Sequence, residues 1–469
     1  MSARRLCLVA LAAVLVGSSS SAPAAVAATV PARGELVVNG FFDSGSTAPW
    51  WNSANTSFGV TGGQLRTTVS GGTVNSYDAM IGQSAIGLTG GRAYTLTFGA
   101  SATAAVTVRV TVQLEAAPYT ATLNQTVRLD PTYKHYTLPF TSSLTTATGQ
   151  VTLQLGGAGA FTAALDEVSL TPAPTALTSG FYADPDSNSA TWVRDHATDS
   201  RAAAIQASIA SQAGARWFGG WSGDIQTAVS AYVGAADTAH RLPALVAYNI
   251  PDRDCNGESS GGAGSPDLYR TWITNFATGI GSRPAVVVLE PDAVAQSTLT
   301  DCMTGTERQT RLDLLRYAAG ELRRLAPNTW TYLDGGNAGW IAADTMAQSL
   351  DAAGLLDTRG YAVNVSNYYT TATSTSYADA IDTALQTRYG YTTRYVVDTS
   401  RNGSSTSTNG EWCNPAGRKL GVTTRLGTGN ADLLLWVKAP GDSDGSCGIG
   451  NGIPAGQFDP GLAMALITG

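Results

Sequence analysis

The sequence predicts an α/β barrel preceded by an all-β sandwich, and three observations predict it. From about Glu35 to Pro172 short apolar/polar alternations recur, broken by glycine pairs. Beyond Gly180, apolar runs of strand length alternate with helical patterns, as a parallel sheet with right-handed crossovers requires. Between them lies a Pro/Thr-rich stretch, residues 172–180, which reads as a short, semi-extended linker.

Within residues 35–171, Ala93 to Phe98, Val106 to Val112 and Val151 to Leu155 alternate with period two and are rich in Val and Thr, the pattern of half-buried antiparallel strands. No helical periodicity appears there. In residues 181–469 the candidate strands are Arg216 to Phe218, Leu242 to Asn249, Ala285 to Leu289, Thr329 to Leu333, Tyr361 to Val365, Arg394 to Val397 and Leu433 to Val437. Helical patterns fall near 200–213, 224–240, 266–280, 306–325, 342–353 and 375–388. Continuous apolar strands of this kind are buried on both faces, and their carboxyl ends are where barrel folds assemble sites.

At 469 residues the chain exceeds one ordinary core. Charged residues make up 13% and the net charge is −7, which gives no basic face for nucleic acid and suits a neutral polymer. Residues 1–28 carry Arg4 and Arg5, an apolar run from Leu6 to Val16 and a small-residue exit, the signature of a secretory signal peptide. No other segment approaches 18 uninterrupted apolar residues, so no membrane partner is expected. Without Cys7, four cysteines remain, Cys255, Cys302, Cys413 and Cys447, and two disulfides are expected. Three pairings are possible; sequential closure would clamp the loops that hold Asp254 and Asp444.

Asp254, Asp292, Asp334, Asp398 and Asp444 each follow or end a candidate strand. One such Asp is readily a helix cap, but five at the same strand position imply acids converging on one rim. Pro291 stops the ladder just before Asp292 and turns the chain there, which makes Asp292 the leading general acid. Convergent carboxylates without a Ser/His arrangement suit acid/base cleavage of an acetal better than acyl transfer. Trp217, Trp221, Trp340 and Trp412, with Tyr248 and Tyr368, lie near strand ends or in Gly-rich loops, where aromatic faces would floor a glycan cleft. His135, His196 and His240 lack ligand spacing, so neither a catalytic metal nor another cofactor is expected.

The segments Tyr248 to Cys255, Val288 to Asp292, Asp398 to Gly403, Glu411 to Cys413 and Lys438 to Gly445 resemble glycoside hydrolase family 6, secreted β-1,4-glucanases. The resemblance implies a distorted seven-stranded barrel and inversion at the anomeric carbon. It also implies Asp292 as proton donor, Asp254 as a second acid tuning it and Asp444 as candidate base, acting directly or through a water relay. Tyr248 would lie beneath the distorted sugar. Trp217, Trp340 and Trp412 would be platforms, while Asp334, Asn367, Lys438 and Asp442 would bind hydroxyls. Asn337 and Glu258 stand where that family usually has His, and Asp442 where it has Glu, so the sugar subsites are expected to differ.

The N-terminal part, from Val38-Asn39-Gly40-Phe41-Phe42-Asp43 to Leu165-Asp166-Glu167, is similar to jelly-roll carbohydrate-binding modules of the family 4, 9 and 22 type. That likeness implies Trp50, Trp51 and Tyr77 as stacking candidates and a structural calcium near Asp43 and Asp166. The expectation is a secreted, monomeric, inverting endo-β-1,4-glucanase. The alternatives are a cellobiohydrolase on the same fold and a catalytically weak glycan-binding protein.

Overall fold

A computed structural model describes residues 36–42, 44–172, 180–389, 391–405 and 410–469. The segment 1–28 expected to be a signal peptide, Asp43 and positions 173–179 of the expected linker lie outside the described residues.

Among the described residues the sandwich has ten strands: β1 (Trp51–Asn52), β2 (Thr56–Thr61), β3 (Gln64–Val69), β4 (Met80–Leu88), β5 (Ala93–Ala102), β6 (Val106–Leu114), β7 (Ala121–Leu129), β8 (Lys134–Thr141), β9 (Thr146–Gln154) and β10 (Phe161–Pro172). They form two antiparallel five-stranded sheets, ordered β1-β4-β9-β6-β7 and β2-β3-β10-β5-β8. Period-two alternation sends one row of each strand inward. Leu96 and Phe98 of β5 thus meet Val110 and Val112 of β6 in one buried core.

The second domain is α/β, as the sequence predicts, and is built on a third sheet. Strands β11 (Ala215–Phe218), β12 (Ala244–Ala247), β13 (Ala285–Leu289), β14 (Thr329–Asp334), β15 (Gly360–Val363), β16 (Arg394–Asp398), β17 (Arg425–Leu426) and β18 (Ala431–Leu435) pair in the order β11-β12-β13-β14-β15-β16-β18-β17. Among the described residues eight strands therefore share the sheet, because the two-residue β17 adds an antiparallel edge to the parallel set. Between β11 and β18 the Ala215 N–H donates to the Trp436 carbonyl at 2.8 Å across the seam.

Both faces are apolar. Val246, Val288, Tyr332, Val396 and Leu435 fill the interior, while Leu245, Val287, Leu333 and Val397 meet the surrounding helices. Those helices start where the sequence supplies caps: Ser265 accepts from the Leu268 N–H ahead of Pro266–Ile280, and Thr304 and Glu307 form a capping box for Gly305–Leu325. None of the helices among the described residues is long and apolar enough to cross a membrane.

Candidate active site

The turns after β12 and β13 are made together. Glu290, Pro291 and Asp292 leave β13 with φ of 49° at Glu290 and 69° at Asp292, left-handed conformations that need outside support. Glu290 supplies it: fully buried, its carboxylate accepts from the Asn249 N–H at 3.0 Å and the Ile250 N–H at 2.9 Å. Burial pushes its carboxyl up to about 7, against the pull of those two amides. The consequence is geometric. The segment leading from Tyr248 to Asp254 is fixed to the turn that presents Asp292.

Asp292 lies among other acids. Its backbone N–H donates to Asp334 Oδ2 at 2.8 Å, and the Gly336 N–H reaches the same oxygen at 3.2 Å. Burial pushes the Asp292 carboxyl well above its ordinary range, and the charges of Asp334 and Asp254 push it further. Asp334 is raised to about 7, again by burial first, but its two amide donors favour its ionised form. Those two donors make Asp334 the better anion of the pair and Asp292 the better acid. Asp254 is raised by burial and accepts from the Ser259 N–H at 2.6 Å. Tyr248 is buried beside both Asp292 and Asp254 and meets Trp217 edge-on, ring centroids 5.1 Å apart.

Asp444 has the opposite environment. Its Oδ2 accepts from Arg401 at 2.7 Å, the Tyr368 hydroxyl at 3.0 Å and the Asn414 N–H at 3.1 Å, while Lys438 Nζ stands 3.2 Å from Oδ1. Burial alone would raise this carboxyl, but Arg401 and Lys438 override it and hold it at about 2. Asp398, fully buried, organises this side by accepting from the N–H groups of Ser366, Ser400, Val437 and Lys438. The two sides are joined through Trp217, whose indole N–H donates to the Val437 carbonyl at 2.8 Å.

The remaining expected residues surround these groups. Asp442 is raised to about 7 by burial and accepts from Asn188 at 2.8 Å. Asn337 turns inward to accept from the Gly339 N–H, which presents Trp340 at the surface. Trp412 is exposed, and Asn367 caps its own turn through the Tyr368 N–H. Disulfides join Cys255 to Cys302 and Cys413 to Cys447, Cα atoms 5.5 and 5.8 Å apart, one beside Asp254 and one beside Asp444.

Sequence reasoning missed Glu290, Arg401 and Asn414. Asn414 makes a reciprocal pair with Asp444: its N–H donates to that carboxylate, and its Oδ1 accepts the Asp444 N–H at 3.0 Å. Its place after Cys413 was the only signal. Arg401 follows Asp398 by three residues, but nothing in the linear order says it crosses to Asp444.

On the sandwich, the outer face of the first sheet is polar. Register aligns Gly82, Thr152, Thr111 and Asn124 across it; Thr111 and Thr152 are buried there and satisfy each other, their hydroxyls 2.7 Å apart. The Trp51 ring lies over Gly82, where a Cβ would come within 2.7 Å of it, and its N–H donates to Ser84 at 3.1 Å. Trp50, just ahead of β1, is core instead, buried with its ring centroid 5.7 Å from that of Phe42. Tyr77 is exposed. Asp166 accepts from the Glu167 N–H, and among the described residues no group of three His, Cys, Asp or Glu is placed to hold a metal.

A profile of glycosyl hydrolases family 6 matches residues 176–466, and one of a carbohydrate binding domain matches residues 34–164. "Endoglucanase 1" of Streptomyces halstedii is 54% identical over 297 residues, 63% of this chain and 91% of that protein. "Endoglucanase A" of Cellulomonas fimi is 41% identical over 296 residues, 62% of this chain and 61% of that protein. Among solved structures, the endoglucanase Cel6 of Mycobacterium tuberculosis, in complex with methyl-cellobiosyl-4-deoxy-4-thio-beta-D-cellobioside, aligns at 37% identity with a TM-score of 0.56. That alignment covers 62% of this chain and 96% of the other.

Proposed function

The chain belongs to glycosyl hydrolases family 6, and from that premise we propose that it is a secreted, inverting endo-β-1,4-glucanase acting on cellulose or related glucans. The observation that carries the mechanism is the divergence of two carboxyls. Asp292 is kept protonated by burial beside Asp334 and Asp254, whereas Asp444 is kept ionised by Arg401 and Lys438. Such a pair is how one site runs acid and base chemistry together. Asp292 protonates the departing glycosidic oxygen while a water attacks C1 from the opposite face. A carboxylate held at about 2 is a weak proton acceptor, so Asp444 takes the water's proton through a relay and mainly supplies charge.

Tyr248 and Trp217 floor the bond being cleaved, Trp340 and Trp412 extend the cleft, and Asp334, Asn337, Asn367, Lys438 and Asp442 bind hydroxyls. The sandwich retains the enzyme on polymer through the half-buried Trp51. Two disulfides accord with an oxidising, extracellular setting. The barrel is read as the distorted seven-stranded kind, with β17 as an addition.

One contact favours the exo-acting alternative. Glu258 Oε2 accepts from the Ser446 N–H at 3.2 Å and joins the loops bearing Asp254 and Asp444. Viscosity and reducing ends measured together on soluble cellulose decide between them: a steep viscosity fall per bond cut supports endo action, and a flat one with disaccharide product refutes it. NMR of fresh product tests inversion, which requires the α-anomer from a β-linked chain.

A further inference from the structure

The sandwich and the barrel fall within one compact unit, Ala32–Gly469, and the residues between them are specific. The second sandwich sheet (β2-β3-β10-β5-β8) presents a threonine-rich outer face, on which Thr95, Thr97 and Thr137 alternate with the core residues Leu96, Phe98 and Leu138. That face meets the segment entering β15 at its N-terminal end, the end opposite the strand carboxyl termini that carry the site. Thr137 donates its hydroxyl to the Leu356 carbonyl at 2.5 Å. Thr95 accepts from Arg359 at 2.6 Å. Arg359 is itself buried, paired with Asp432 through two bonds and stacked 3.7 Å over Trp330.

Beside these contacts four charged side chains close a ring. His135 of β8 places Nε2 2.8 Å from Glu167 of β10 and Nδ1 2.8 Å from Asp357 of the barrel. Arg323, on the barrel helix Gly305–Leu325, reaches Glu167 at 2.7 Å and Asp357 at 3.3 Å. Each cation therefore touches one anion of its own domain and one of the other. The ring is neutral only while both imidazole nitrogens carry protons.

We propose that the sandwich is a docked partner of the barrel's N-terminal face, not a tethered accessory, and that His135 is the proton-dependent latch of this interface. Docking leaves the outer face of the first sheet, with Trp51, on the far side of the sandwich, so a glycan held there anchors the enzyme rather than feeding the cleft. The groups facing His135 are Glu167, Asp357, Arg323 and the edge-on ring of Tyr133. Burial opposes protonation of His135, but Asp357 and Glu167 raise it to about 9, and Glu167 is lowered to about 2 against its own burial. A raised histidine contributes its stabilisation fully below its unfolded value of about 6.5 and loses it as pH rises through about 9. The lowered Glu167 contributes above its unfolded value and loses it as pH falls toward about 2. Docking is thus firmest between about pH 4.5 and 6.5 and loosens above that range.

The test places a specific protease site with flexible flanks among residues 173–179 of the full chain, cleaves it, and follows the two halves by gel filtration and by equilibrium binding. The halves should co-elute at pH 6, and their dissociation constant should rise on the order of 10- to 100-fold by pH 10. In His135→Gln the pH 6 affinity should already be weak and nearly flat with pH. Independently of any variant, imidazole NMR of the intact chain, which has three histidines, should show one titrating above pH 8. Halves that separate at pH 6, an affinity unchanged between pH 6 and 10, or three histidines all titrating near pH 6.5 would overturn the proposal.

Discussion

Replacing Asp334 with Asn removes one charge beside Asp292 and keeps an amide oxygen that can still accept the Asp292 N–H now bonded at 2.8 Å. For a carboxyl separation taken as on the order of 5 Å, at an effective dielectric near 20 like charges repel by about 3 kcal/mol, or about two pKa units. Asp334 is itself raised to about 7 and only partly charged near neutrality. The expected change is therefore about one to two units. The sign is fixed by the role: a general acid works while protonated, its pKa sets the basic limb of the pH profile, and losing a neighbouring negative charge lowers that pKa. The basic limb of kcat/KM on cello-oligosaccharides should move to lower pH, with thermal stability monitored as a control. A basic limb that stays in place or moves upward in a folded variant would refute the assignment of the retained proton to Asp292.

Asp292→Asn should lower kcat on unactivated glucan by about 10²- to 10⁴-fold with KM little changed, and by much less on substrates with an activated phenolate leaving group; near-normal turnover on cellulose would remove Asp292 from the acid role. Arg401→Met leaves only Lys438, Tyr368 and the Asn414 N–H to oppose the burial of Asp444, so its pKa should climb from about 2 and the acidic limb should shift to higher pH; an unmoved limb would mean that the ionisation of Asp444 does not matter to turnover. Trp51→Ala should weaken retention on insoluble cellulose by about 1–2 kcal/mol, roughly 10-fold, while leaving hydrolysis of short soluble oligosaccharides unchanged; equal retention would place the glycan elsewhere on the sandwich.

The sequence by itself determined the two architectures and the rim, because both rest on short-range regularities. Period-two alternation declares an antiparallel sandwich, and apolar runs punctuated by Asp, Gly and Pro declare parallel strands with acids at their ends. The Glu290-Pro291-Asp292 triplet thus located the candidate acid without coordinates, and Asp254 and Asp444 beside cysteines located their loops. The protonation state of each acid was decided only by tertiary structure. Asp292 and Asp444 look alike along the chain, yet Asp292 is pressed against Asp334 and Asp254, whereas Asp444 receives Arg401, Lys438, Tyr368 and Asn414. Those partners lie up to 76 residues away, and no local pattern encodes which strand end a cation will face. The same holds for His135, which in sequence is an ordinary residue of an edge strand. Its two carboxylates come from a different strand and from the other domain, brought within 2.8 Å only when the sheet face and the barrel floor meet.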